Sequence, residues 1–253
     1  MDHCRFCKIN SNLIKAHIIP EAFFRELRHN NNPPLLVSGR EGDFKKKAPI
    51  GVYDTKILCP SCEAKFMLTD NYGVNAILTN FKKLFKPIHK KTEIIAFQSE
   101  LVDKEKLLEF LVSILWRASV SLHPFYAKVN LGQHEETAKN VLFSKYQKLA
   151  DTFDAVLSRW DDADDHSLPT KALLNPHAEQ WNDIHAYRVY LGKIIAYIKV
   201  DKRPFTEPLS LLSLRSSAPC LIVNRTLSTS KDLAAMRKTV ITAENNHNRF
   251  RLT

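Results

Sequence analysis

Apolar side chains recur every three or four positions after Asp103, which is the spacing of a helix that buries one face. The members of this stripe are Leu108, Leu111, Leu115, Ala118 and Leu122. Asp103 stands just ahead of the stripe, and aspartate is one of the residues that cap helix N-termini. The pattern therefore predicts a long amphipathic helix that begins after Asp103. A second and weaker stripe predicts a helix from His134 to Leu149.

Further along the chain, β-branched and aromatic residues replace the helical pattern. The segment "AYRVYLGKIIAYIKVD" is rich in Tyr, Val and Ile on both sides of "LGK", which predicts a β-hairpin or two adjacent strands. The segment "PCLIVNRT" predicts another strand, and Ser230 is placed to cap a last helix through "KDLAAMRKTVITAE". We therefore expect residues 103–253 to form an accessory domain of helices and antiparallel strands.

The first part of the chain has a different order of elements. Two short apolar segments, "NLIKAHIIP" and "IGVYDTKILC", flank the polar stretch "RHNNNPPLLVSGREGDFKKK", which is typical of a surface loop. A helical pattern starts at the next cysteine pair, so residues 1–80 predict strand, long loop, strand and helix. Residues 81–102 include "FKKLFKPIHKK", which we interpret as a basic linker in which Pro87 interrupts any helix.

The composition favours a folded, basic protein. The chain has 253 residues, 44% of them hydrophobic, and a formal net charge of +10, which suits a polyanionic partner such as nucleic acid. The candidate phosphate contacts are Lys45, Lys46, Lys47, Lys82, Lys83, Lys86, Lys90 and Lys91. A solvated surface explains these lysines equally well. No apolar run approaches the roughly 18 residues of a membrane span and no secretory signal is present, so we expect a cytoplasmic protein without membrane contact.

The cysteines give the sharpest motif. Cys4 and Cys7 form one Cys-x-x-Cys pair, and Cys59 and Cys62 form a second pair about fifty residues later. Cytoplasmic thiols stay reduced, and two such pairs supply the four thiolates of a structural zinc site. A site with four thiolates has no open coordination position, so any catalysis must use other residues. Cys220 has no partner and is expected to be a buried strand residue.

The combination of "CRFC", "AHIIP" and "ILCPSCEAKF" resembles the zinc-stapled HNH endonucleases of the His-Me finger, or ββα-metal, fold. The resemblance covers roughly the first 75 residues. Within the family, this sequence is similar to a bacterial subgroup in which Glu follows the second cysteine pair. The resemblance implies an α+β chain that consists of a ββα-metal module and the mixed accessory domain. It also implies that His17 is the general base, since an imidazole that titrates near neutrality accepts a proton from water.

This sequence departs from the HNH pattern at three positions. Ala16 stands where the family has a metal-binding residue, Asp54 replaces the loop asparagine, and Glu63 replaces the histidine after the second pair. Carboxylates bind Mg²⁺ or Mn²⁺ well, so Asp54 and Glu63 are the predicted ligands of a catalytic ion. A solvated first-turn carboxylate is the alternative for Glu63.

Two functions follow from these motifs. One is a metal-dependent endonuclease, for which the family resemblance implies DNA as the substrate and the residues leave RNA open. The same resemblance implies a role in bacterial phage defence or mobile elements, with a protein partner. A homodimer would suit double-strand cutting. The other is a catalytically degenerate zinc module that binds nucleic acid or a protein partner.

Overall fold

The computed structural model describes residues 3–27, 33–37, 46–48, 50–143, 151–160 and 172–250. Over these residues the chain combines helices with a sheet of seven strands, which confirms the prediction of an α+β fold. The α-helices are α1 (Glu21–Glu26), α2 (Pro60–Val74), α3 (Phe81–Leu84), α4 (Lys104–Val120), α5 (Glu135–Phe143), α6 (Leu209–Leu212) and α7 (Lys231–Phe250). A π-helical turn, Asn75–Thr79, joins α2 to α3.

Within the described parts of the chain, twelve strands form three separate sheets. They are β1 (Ala16–His17), β2 (Leu35–Val37), β3 (Lys46–Lys47), β4 (Tyr53–Asp54), β5 (Lys86–Lys90), β6 (Glu93–Ser99), β7 (Phe153–Trp160), β8 (Ala172–Leu174), β9 (His177–Trp181), β10 (Ile184–Leu191), β11 (Ile194–Val200) and β12 (Cys220–Arg225). The large sheet has the order β5-β6-β12-β7-β11-β10-β9, and its only parallel pair among the described residues is β12 with β7. Strand β1 pairs with β4, and β2 lies between β3 and β8.

Helix α4 lies in the centre of the core and contacts α2, α5, β7 and β11. Asp103 caps it by accepting hydrogen bonds from the backbone N–H groups of Glu105 and Lys106, each 3.1 Å long, as predicted. Helix α2 approaches α4 closely at Gly73, where a Cβ atom would lie 2.2 Å from the ring of Phe110. A glycine is therefore needed for these two helices to pack at this distance.

Two further predictions of local structure are confirmed. Strands β10 and β11 form the antiparallel hairpin expected around "LGK", with Leu191 opposite Ile194. Ser230 caps α7, since its hydroxyl accepts a hydrogen bond of 3.1 Å from the backbone N–H of Leu233. The helix predicted between His134 and Leu149 is present as α5, and residues 144–150 lie outside the described residues.

The segment 81–102 is not the linker that the sequence suggested. Strands β5 and β6 pair as an antiparallel hairpin and form one edge of the seven-stranded sheet. Pro87 and the neighbouring lysines are typical of a linker, but the edge strand of a sheet also tolerates proline and charged side chains.

The polar stretch before β4 also contains strands, since β2 pairs in parallel with β8. One apolar core joins residues from Cys4 to Ile222, so it runs across the boundary expected between the two domains. Among the described residues, no helix combines the length and apolar character needed to cross a membrane.

Candidate functional site

The four cysteines of the two pairs converge on one point. The sulfur atoms of Cys4, Cys7, Cys59 and Cys62 all lie within 4.8 Å of one another. Cys7 precedes β1 and Cys59 is the N-cap of α2, so the cluster joins the start of the chain to the start of that helix. The Ser61 hydroxyl lowers the pKa of the Cys59 thiol to about 6, whereas burial raises the pKa of Cys62. This set of donors could hold a metal ion such as zinc.

His17 lies at the end of β1, beside this cluster but not in it. Strand β1 pairs with β4 so that His17 is opposite Tyr53 and Ala16 is opposite Asp54. Ala16 is buried and His17 is only half buried, so the imidazole faces the surface. The predicted base therefore lies on the first of two paired antiparallel strands, and α2 follows the second strand in the chain.

The ring of His17 is held by a backbone carbonyl group. Its Nε2 lies 3.0 Å from the carbonyl oxygen of Ile50. Because a carbonyl oxygen only accepts, Nε2 must donate, and Nδ1 of the neutral ring is left as the acceptor. The next residue, Gly51, has a φ of +89° and a Cβ there would lie 2.6 Å from the Phe24 ring. Glycine thus permits the turn that presents the Ile50 carbonyl to His17.

Asp54 does not have the free carboxylate that a catalytic ion would need. Its Oδ1 accepts a hydrogen bond of 2.8 Å from the backbone N–H of Lys56. Its Oδ2 accepts from the hydroxyl of Ser121 and the backbone N–H of Leu122, at 2.7 and 2.9 Å. The side chain is buried, with 6% exposure. The carboxylate that the sequence predicted as an ion ligand is therefore held by three donors and ties β4 to the C-terminal end of α4.

Glu63 has the opposite character. It lies in the first turn of α2 and is partly buried rather than solvated, and its Oε2 atom is buried without a hydrogen-bond partner among the described residues. Burial raises the pKa of Glu63, while the Arg117 guanidinium and the backbone N–H of His17 lower it. The nearby Asp70 charge adds to the rise. A buried carboxylate oxygen with no partner fits an oxygen ligand of Mg²⁺ or Mn²⁺.

Arg117 is the residue of this site that the sequence did not reveal. Its side chain has 0% exposure and forms a bidentate ion pair with Asp70, at 2.6 and 2.8 Å. It also donates to the backbone carbonyl of His17 at 2.7 Å. The neighbouring Trp116 is buried and stacks on Phe66.

The exposed side of the site carries an aromatic ring and a cation. The rings of His17 and Tyr53 meet edge to face with centroids 6.0 Å apart. The ammonium group of Lys15 lies 5.1 Å from the centroid of the same Tyr53 ring. Lys56 is also exposed and lies just beyond β4. Lys15 thus places one positive charge over the aromatic ring that contacts His17.

The predicted phosphate contacts belong to two different regions. Lys82 and Lys83 lie on α3, whereas Lys86, Lys90 and Lys91 lie on the β5–β6 hairpin, and all five are exposed. Lys47 is exposed on β3. Lys45 lies outside the described residues, and the side chain of Lys46 is not described. The five exposed lysines between 82 and 91 thus lie on consecutive elements, and we refer to them as the basic edge.

Comparisons of this chain with known protein families, with curated proteins and with solved structures found no match.

Proposed function

We propose that this protein is a metal-dependent endonuclease that hydrolyses phosphodiester bonds, with DNA as the substrate and His17 as the general base. The observation that carries the proposal is the hydrogen bond between His17 Nε2 and the Ile50 carbonyl. It leaves Nδ1 as a proton acceptor on a half-exposed ring, which is what a base needs in order to deprotonate water.

The reaction of this site is a displacement at phosphorus. His17 Nδ1 takes a proton from a water molecule, and the oxygen of that water forms a bond to the phosphorus atom. The bond from phosphorus to the leaving sugar oxygen breaks, and that oxygen then gains a proton from solvent. His17 returns to its neutral form when it releases its proton.

Glu63 is the candidate ligand for a divalent ion. Its buried Oε2 atom has no partner among the described residues, and Asp54 is already occupied by three donors. A bound Mg²⁺ or Mn²⁺ would supply the positive charge that neutralises the scissile phosphate and the leaving oxygen. The remaining ligands would be water and the phosphate itself, as is common for Mg²⁺.

The substrate is inferred from charge. Lys15 lies over the Tyr53 ring that contacts His17, and the lysines of α3 and the β5–β6 hairpin add exposed positive charges elsewhere. Such a distribution suits a long polyanion rather than a small phosphate ester. The likeness to bacterial nucleases with an added domain extends the proposal to phage defence or mobile elements.

A second function is favoured by one specific observation. Ala16 offers no ligand and three donors already hold the Asp54 carboxylate, so Glu63 is the predicted carboxylate that is most available to an ion. A zinc module that binds nucleic acid without cutting it would need no further ligand.

Cleavage assays separate the two functions. Wild type and Glu63→Gln are incubated with plasmid DNA or single-stranded RNA and Mg²⁺ or Mn²⁺, with EDTA controls and a zinc measurement. The endonuclease predicts metal-dependent cleavage by wild type and its loss in Glu63→Gln with zinc retained. Binding without cleavage in every metal would instead favour the second function.

A further inference from the structure

The guanidinium group of Arg117 is the most completely bonded side chain around the candidate site. Its Nε donates to the Ser113 carbonyl at 3.2 Å, and Nη2 donates to the Ser113 hydroxyl at 3.1 Å. Nη1 donates to the His17 carbonyl and to Asp70 Oδ2, and Nη2 also donates to Asp70 Oδ1. The five N–H groups of an arginine therefore all have acceptors. The group also stacks on Phe66, 4.8 Å from the ring centroid.

This arrangement holds the backbone of His17. The carbonyl of His17 accepts a hydrogen bond of 2.7 Å from Arg117 on α4. The backbone N–H of His17 is near enough to Glu63 on α2 to lower the pKa of that carboxyl. The ring of His17 is also hydrogen-bonded to the Ile50 carbonyl. A shift of the His17 backbone would therefore move the imidazole relative to that carbonyl.

Asp70 lies seven positions after Glu63 on α2, and each of its two oxygens accepts a hydrogen bond from Arg117. The two carboxylates are close enough that the charge of Asp70 raises the pKa of Glu63. Arg117 therefore occupies one of two neighbouring carboxylates and leaves Oε2 of the other without a partner.

Stability alone does not explain this ion pair. Burying an arginine and a carboxylate costs desolvation energy, and apolar residues of similar volume at such positions are often at least as stable. The ion pair instead connects α4 to the backbone carbonyl of His17, the predicted base.

We propose that Arg117 is the positioning residue of the His17 site. Asp70 orients the guanidinium group, which fixes the backbone of His17 and so keeps the imidazole on the Ile50 carbonyl. Asp70 acts through Arg117 and is not a ligand of the ion. Only the kinetic part of this inference rests on the proposed function, because the state of the His17 ring is measurable without substrate.

The decisive variants are Arg117→Lys and Asp70→Asn. Lysine keeps the charge but lacks the planar fork that reaches two partners at once, and asparagine keeps the shape of Asp70 but loses its charge. Arg188→Lys is the matched control, because Arg188 is also a largely buried arginine that pairs with two carboxylates, Glu179 and Asp232, outside the site. Zinc content and folding are checked for every variant.

The main readout is the long-range ¹H–¹⁵N NMR spectrum of the histidine rings, with the His17 signals assigned through His17→Gln. In wild type, neutral His17 should carry its proton on Nε2. Arg117→Lys and Asp70→Asn should give a mixture of both tautomers with zinc retained, and Arg188→Lys should leave the His17 signals unchanged. If the wild type cleaves DNA, kcat should fall about 10- to 100-fold in both site variants while KM changes little.

Two results would overturn the proposal. One is an unchanged His17 tautomer in a folded Arg117→Lys or, where that variant does not fold, in Asp70→Asn. The other is an equal change in Arg188→Lys, which would mean that loss of a buried arginine anywhere loosens the site. A wild type that cleaves nothing would count against the proposed function, while the ring spectra would still decide the role of Arg117.

Discussion

The carboxylate of Asp54 accepts a hydrogen bond of 2.7 Å from the hydroxyl of Ser121, 67 positions later in the chain. The contact ties β4 to the end of α4, and two backbone N–H groups complete the set of donors. Asp54 and Glu63 thus have different roles although both were predicted as ion ligands. Their substitutions should be distinguishable by stability and activity.

Asp54→Asn should lower the free energy of unfolding by about 1–3 kcal/mol, because an amide cannot serve every donor that the carboxylate does. Glu63→Gln should cost less stability, since it neutralises a carboxylate that burial already disfavours, yet it should abolish metal-dependent cleavage. Urea denaturation and plasmid cleavage measured on both variants check this. An Asp54→Asn variant of wild-type stability that has lost cleavage would contradict the structural role of Asp54.

Cys59→Ser should abolish zinc binding and lower Tm by about 10 °C or more, because a metal site formed only in the folded chain contributes its binding energy to folding. Cys220→Ala is the matched control, since Cys220 is buried on β12, away from the cluster. Its zinc content should equal that of wild type. Metal analysis and thermal denaturation check both variants, and a Cys59→Ser protein with full zinc would contradict the four-cysteine site.

Removal of Lys90 and Lys91 should weaken DNA binding and make it less sensitive to salt. Each lost phosphate contact reduces the slope of log K against log salt concentration by about 1. The measurement is fluorescence anisotropy in a His17→Ala background, which prevents cleavage. A double alanine variant at Lys231 and Lys238, exposed on α7, is the control. Equal slopes for the two double variants would argue against a nucleic-acid contact at the basic edge.

The stability of the protein should fall between pH 7 and pH 5, in part through His177. Burial lowers the pKa of this half-buried ring on β9. The unfolded chain therefore takes up a proton near pH 6.5 while the folded chain does not, and the free energy of unfolding rises with pH in this range. His177→Gln should show a shallower pH dependence than wild type in urea denaturation. Identical pH profiles would show that His177 does not contribute.

Local patterns were sufficient for the elements that bury a regular face. Helix α4, its Asp103 cap and the β10–β11 hairpin were predictable because their spacing and capping residues lie close together in the sequence. The cysteine cluster was predictable for a similar reason, since two Cys-x-x-Cys pairs have few other uses. Strand β5 was missed because an edge strand rich in lysine lacks the apolar alternation of a central strand.

The contacts that define the site are long-range, and no spacing rule encodes them. His17 meets Arg117 across 100 positions and Ile50 across 33. The sequence could suggest Glu63 from its place after a cysteine pair, but not that Asp70 is occupied by an arginine. Gly51 was a local sign of the Ile50 contact, because a glycine often marks a turn. In the structure its positive φ permits the turn that presents the Ile50 carbonyl to His17.

We propose that the imidazole of His17 activates water for phosphodiester hydrolysis. Plasmid cleavage by wild type and by His17→Ala, in Mg²⁺ and Mn²⁺ and with EDTA controls, tests this role once equal zinc content and folding have been verified. Wild type should cleave the plasmid only with metal, and the rate should fall by a factor of about 100 or more in the variant. Equal cleavage rates for the two proteins would rule out His17 as the general base.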